Sequence, residues 1–190
     1  MNHFPIHDLH TAPEATSASL TQLNNKMHFI PNVFAAVAES PTTLDALLNL
    51  NEAFSQSSFS PQQQQIILLA ASVENSSAYC VAGHSAFAHS LDLPNKTIAS
   101  LRNGQTIESQ NDQTLIETVE KLIQSRGQIS AEDIQQFLAA GFNQAQFLEL
   151  VIGICLKTMT NYISNSLSLK LDTAFEAYQW TALHLNANNQ

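Results

Sequence analysis

Twice this chain runs a serine and a proline straight into an apolar helical pattern, as "SPTTLDALLNLNEAFSQ" from Ser40 and as "SPQQQQIILLAASVEN" from Ser60. A serine can cap a helix by accepting a hydrogen bond from an orphan backbone N–H, and proline suits the first helical position because its missing N–H would go unpaired there anyway. In the first segment Leu44, Leu47, Leu48 and Phe54 form a stripe at helical spacing. Five glycines and six prolines in 190 residues leave little material for hairpin turns. The predicted fold class is therefore all-α, in a single domain, since a chain of this length supports one full hydrophobic core. Strands over "QIILLAAS" and "LVIGICL" are the competing reading, because short apolar runs are ambiguous by period alone.

The remaining segments extend the helical pattern. "TSASLTQLNNKM" opens a first helix with Ser or Thr as its cap, and "PNVFAAVAES" gives a short second one. A helix bearing Cys80 is expected from about Ser76 to Ser90, and "LPNKTIASLRNG" forms the next, closed by Gly104. "NDQTLIETVEKLIQSRG" turns Leu115, Val119 and Leu122 or Ile123 inward and ends at Gly127. "SAEDIQQFLAAG" carries a capping box of Ser130 with Asp133 and ends at Gly141. The last long segment, "NQAQFLELVIGICLKTMTNYISNSL", is apolar on nearly every side and is expected to be the central or an interface helix.

Composition narrows the function classes. The formal charge is -9 with only seven Lys and Arg, scattered along the chain. That balance excludes a phosphate-backbone partner, which needs clustered cations. No stretch approaches the roughly 20 apolar residues that span a bilayer. The start "MNHFPIHDLHTAPEATSAS" resembles neither a secretory nor a transit signal, so a cytoplasmic protein is expected. His3, His7 and His10 would invite a metal reading on a helix, but Pro5 and Pro13 favour an irregular arm. The two cysteines, Cys80 and Cys155, are expected as free thiols in a reducing compartment.

The chemistry concentrates in "ENSSAYCVAGH", which sets Cys80 four residues before His84. Residues four apart share a helix face. A thiol attacks only as thiolate, and an imidazole or a helix N-terminus nearby lowers its pKa. The same spacing also fits two ordinary core side chains. A metal site of Cys80, His84 and His89 is disfavoured, since His89 projects from another part of the helix. Cys155 in "VIGICLK" reads as a small core residue.

The longer run "QQIILLAASVENSSAYCVAGHS" resembles the signature of the carboxymuconolactone decarboxylase family, in its alkylhydroperoxidase D-like (AhpD-like) branch. That branch shows an acidic residue, an apolar helix, then Cys-x-x-Cys-x-x-x-His, and the second cysteine and the histidine fall on Cys80 and His84. The likeness continues through "IPNVFAAVAESPTTLDALL", "RGQISAEDIQQFLAAGFNQAQFLELVIGICLKTMTNYISNSL" and "KLDTAF". It assigns residues 25–176 to an AhpD-like domain, residues 1–24 to an arm with the start of the first helix, and 177–190 to a tail holding Trp180. The resemblance implies a thiol-dependent peroxidase that reduces hydroperoxides with electrons from an external thiol, needs no metal, haem or flavin, and assembles as a trimer or hexamer. Cys80 would be the nucleophile and His84 its proton partner, with Tyr79 packing or lining the pocket.

Two positions depart from that pattern. Ser77 stands where the redox members carry the first, resolving cysteine, and Gln65 stands where a Glu starts the proton relay. Serine forms no disulfide, and Gln65 can orient a water or bond His84 but carries no proton. The chain is then a one-cysteine or inactive relative, or one whose cysteine was replaced, or one in which Cys155 resolves Cys80, which needs their Cα atoms within about 7 Å. Two rival functions follow: a carboxymuconolactone decarboxylase-like enzyme, or a non-catalytic oligomeric scaffold. Asn161 and Tyr162 resemble a family pattern near a subunit interface, with plain helix packing as the simpler reading.

Overall fold

The computed structural model describes residues 4–182. In chain order its helices are α1 (Glu14–Met27), α2 (Asn32–Val37), α3 (Pro41–Ser55), α4 (Pro61–Glu74), α5 (Ala78–Ser90), α6 (Asn95–Arg102), α7 (Gln110–Gln124), α8 (Ala131–Ala139) and α9 (Gln144–Ser166). A 3-10 helix, Thr173–Tyr178, follows them, and no strand occurs among the described residues.

The start signals act as their chemistry requires. Ser40 Oγ accepts from the Thr43 N–H at 3.3 Å, and Ser60 forms a full capping box with Gln63, each with proline just inside the helix. Ser130 and Asp133 form a second box, and Asn143 with Gln146 a third that opens α9. Only α1 departs. It begins earlier than its sequence suggests, at Glu14 behind Pro13, and no Ser or Thr side chain caps it. Proline supplies a fixed φ there, and the first-turn Glu14 carboxylate faces the positive end of the helix dipole.

"QIILLAAS" lies inside α4 and "LVIGICL" inside α9, so neither is a strand. The run Ile66 to Ser72 is buried at every position, because α3, α5, α6, α7 and α9 all pack around α4. An apolar helix with no polar face is what a central position demands. The central helix is thus α4 and not α9, which rests on α3, α4 and α5 while leaving Leu148, Val151 and Tyr162 exposed.

The α4–α5 junction positions the site. Asn75, Ser76 and Ser77 turn the chain through Ser76 at φ 51°, and α5 starts at Ala78. Cys80 is therefore the third helical residue of α5, in its first turn.

Both ends of the described chain fold back. The His7 N–H donates to Ala35 O at 3.1 Å, and His7 Nε2 lies 2.8 Å from Glu39 Oε2. His3, the other histidine of that arm besides His10, lies outside the described residues. After α9 the 3-10 helix lays Phe175 against α5, and Trp180 Nε1 donates to Arg102 O at 2.8 Å. The Trp180 segment thus docks on its own domain. Residues 183–190 of the expected tail lie outside the described residues.

Candidate functional site

Where α4, α5 and α9 meet, five buried polar side chains gather: Ser77 and Cys80 from α5's start, and Lys157, Asn161 and Ser164 from α9. On α9 the positions 153, 157, 160, 161 and 164 are all buried, a stripe at helical spacing that faces the bundle. Gly153 makes this approach possible. A Cβ there would sit 2.6 Å from the Phe54 ring, so α9 lies against α3 at a distance only glycine permits.

The Cys80 thiol stands 3.7 Å from Ser164 Oγ, which is 2.8 Å from Ser77 Oγ. Although Ser77 occupies the N-cap of α5, its side chain makes no capping bond. It lies with Ser164 beside the sulfur instead. Burial opposes ionisation of Cys80, but the nearby Lys157 ammonium and hydrogen bonds from Ser77, Ser164 and Asn161 outweigh it, and the thiol is held below its ordinary pKa. Asn161 is fixed from behind by Asn75 Nδ2 at 3.0 Å and by its own bond to Ser72 Oγ.

His84 lies one turn beyond Cys80, with both ring nitrogens taken. Gln65 Oε1 is 3.0 Å from Nδ1, and Lys157 Nζ is 2.8 Å from Nε2. An amide oxygen only accepts, so Nδ1 carries the proton and Nε2 accepts from the lysine. Burial first, and the Lys157 charge second, hold the imidazole well below its ordinary pKa, so it is neutral. Burial also lowers the Lys157 pKa, opposed by attraction and a hydrogen bond to Cys80. Hydrogen bonds connect Gln65 to His84 and His84 to Lys157, and the lysine charge acts on Cys80 across the cavity that all four line.

Tyr79 donates to Asp172 Oδ2 at 2.5 Å and accepts from the Val33 N–H at 3.2 Å. Burial first, then the Asp172 bond, raise the tyrosine pKa, so the ring stays neutral. Asp172 is itself raised by burial and receives the Asn32 N–H at 3.1 Å. This cluster ties the chain after α9 to α2 and α5 and builds one wall of a cavity of about 370 Å³. Cys80, His84, Gln65 and Lys157 line that cavity with Tyr79, and Phe34, Phe87 and Phe175 make much of its apolar surface. Exposed Lys26 and Asn51 stand at its edge.

One sequence expectation changes here and another holds. Cys155 is exposed, not a core residue, because it lies two positions from buried Lys157 on α9, about 200° around the helix. His89 pairs with Asn95 Oδ1 at 3.1 Å, away from Cys80 and His84. Sequence reasoning missed Ser164, Asp172 and above all Lys157. Its signal was a lone cation inside "VIGICLKTM", at helical spacing from Asn161 and Ser164.

No protein-family model and no curated protein matches the sequence. Solved structures do match. A peroxidase-related protein of Silicibacter superposes with a TM-score of 0.79 at 18% identity, over 91% of this chain and 92% of that one. A peroxidase-related protein of Ralstonia eutropha, described as an alkylhydroperoxidase AhpD core, gives 0.81 at 17% over 90% and 93%. The chain has the AhpD-like fold. Other activities share this fold: the debrominase Bmp8, as a Cys-to-Ala variant in complex with 2,3,4-tribromopyrrole, gives a TM-score of 0.77 at 12% identity over 92% of this chain and 94% of that one. Among the described residues of this AhpD-like chain, no single helix is long and apolar enough to cross a membrane.

Proposed function

We propose that the protein reduces organic hydroperoxides through Cys80, using electrons from an external thiol. The observation that carries this reading is the Cys80–Lys157 pair: a thiol favoured as thiolate by a buried ammonium, lining an apolar cavity. The thiolate attacks the terminal oxygen of the hydroperoxide and the O–O bond breaks. Sulfur gains the oxygen as sulfenic acid, and the leaving alkoxide takes a proton from Lys157, the ammonium that lines the same cavity as the sulfur. Two equivalents of external thiol then return Cys80 to the thiolate, releasing water and a disulfide.

The other residues serve this pair. Ser77 and Ser164 hydrogen-bond the sulfur and stabilise its anion. Gln65 fixes the imidazole tautomer, and His84 holds the Lys157 Nζ as a positioning residue and its immediate proton partner. Tyr79 shapes the wall. The aromatic lining of Phe34, Phe87 and Phe175 favours an alkyl or aryl hydroperoxide over hydrogen peroxide. The exposed apolar stripe on α9 supports assembly with further copies of the chain, and the resemblance to the AhpD-like branch suggests a trimer or hexamer.

The test is turnover of cumene hydroperoxide with a dithiol donor, with Cys80→Ser as the inactive control. Consumption above the donor's own rate, lost in Cys80→Ser, is expected. An unoxidised Cys80 and no consumption would leave the scaffold reading. Loss of carbon dioxide from a lactone acid, abolished by His84→Ala, would favour a decarboxylase.

A second reading follows from the aromatic lining. The same thiolate attacking a ring bromine would break the C–Br bond to give S–Br while the ring carbon takes a proton from Lys157, and two equivalents of external thiol would then release bromide and a disulfide, a debrominase-like reaction of the kind a fold neighbour's name suggests. Release of bromide from a brominated pyrrole separates it from peroxide reduction.

A further inference from the structure

We propose that Lys157 resolves oxidised Cys80: its amine condenses with the Cys80 sulfenic acid to form a sulfenamide bond that joins α5 to α9. The proposal rests on the peroxidase reading and supplies a step for which that reading names no residue of this chain. Ser77 has no thiol to offer, and Cys155 is exposed on the other side of α9. The nitrogen nucleophile at hand is Lys157 Nζ, buried, lining the same cavity as the sulfur and held 2.8 Å from Nε2 of His84, one turn of α5 beyond Cys80. Sulfenic acids condense with nitrogen as well as with thiols.

The amine must be uncharged to react, and the oxidation itself discharges it. While Cys80 is a thiolate, its negative charge opposes the burial that favours a neutral lysine. Peroxide attack turns the thiolate into a neutral S–OH, and the ammonium gives its proton to the alkoxide. Nothing then holds a charge on Lys157 against burial. His84 Nε2, 2.8 Å from Nζ, keeps the nitrogen at the site by accepting its hydrogen bond.

In the condensation the S–OH and one N–H combine, an S–N bond forms and water leaves, with no further oxidant. An external thiol attacks the sulfur, displaces the lysine amine and leaves a mixed disulfide. A second thiol releases the Cys80 thiol. The sum over the cycle is one hydroperoxide and two thiols giving one alcohol, one disulfide and water. The S–N bond also shields the sulfur from a second equivalent of peroxide, which would otherwise carry it to the sulfinic acid.

The experiment uses the full chain carrying Cys155→Ser, so that no disulfide within the chain or between copies can mimic the product. Reduced protein is treated with one equivalent of cumene hydroperoxide, quenched in acid and weighed intact. The expected product is two hydrogen atoms lighter than the reduced chain, resists trypsin after Lys157, yields one peptide joining the Cys80 and Lys157 regions, and reverts with thiol. With Lys157→Arg in the same background, the expected product is instead one oxygen heavier and reacts with dimedone. A Cys155→Ser chain that stays one oxygen heavier overturns the sulfenamide while leaving the peroxidase reading intact. A chain whose mass does not change overturns both.

Discussion

At the scale of single residues, the decisive interaction is the ammonium beside the buried sulfur. Burial alone would raise a thiol, and Lys157 reverses the sign by stabilising the charged form. Replacing it with methionine, which keeps the bulk of the chain but not the charge, leaves burial unopposed by that cation. The thiolate fraction at pH 7 then falls about tenfold for each unit by which the Cys80 pKa rises. Reactivity is present above the thiol pKa and lost below it, so the acid limb of the alkylation profile with iodoacetamide shifts to higher pH in Lys157→Met and stays near its place in Lys157→Arg. Coincident profiles for the wild type and Lys157→Met would show that the thiol is set by its serines and by the start of α5.

Cys80, His84, Ser77 and Gln65 were legible as a group because three of them fall within one short run and the fourth lies on the helix just before it. Lys157 was not, because it lies 77 residues after Cys80 and only the packing of α9 on α5 brings it near. Asp172, which holds Tyr79, was hidden for the same reason.

At the scale of elements, the Ser-Pro starts of α3 and α4 and the capping box of α8 follow from local hydrogen bonding, which the sequence carries in full. The rank of the helices does not. Both α4 and α9 read as apolar, and only the neighbours around α4 show which is central. Gly153 is where that packing is most sensitive, since a Cβ would press on Phe54 at 2.6 Å and on Ile67 at 3.1 Å. Gly153→Ala gains helix propensity of up to about 1 kcal/mol. It meets an overpacking cost of about 1–3 kcal/mol, and because the contact is with a ring 2% exposed in the core, the cost wins. Thermal melts should show a lower Tm for Gly153→Ala. An unchanged or higher Tm would mean that α9 moves off α3 at no cost.

At the scale of the whole molecule, the outer face of α9 is the feature a lone domain leaves unexplained. Leu148 is 68% exposed and Tyr162 61%, with Val151 and Cys155 between them at helical spacing on the same side. Apolar side chains this exposed, in one line on the longest helix, favour association with further copies of the chain. None of these four side chains carries a carboxylate or an ammonium, so the net charge of -9 does not sit in the line itself. Sedimentation of the wild type should therefore give a mass that is a multiple of the 20.8 kDa chain. Val151→Lys and Tyr162→Lys each place a cation in that line without touching the buried face that carries Lys157, and each should shift the mass toward the monomer while Cys80 alkylation persists. A wild type that sediments as a monomer at every concentration would refute the assembly and leave the thiol chemistry standing, because Cys80 and its buried partners belong to one chain.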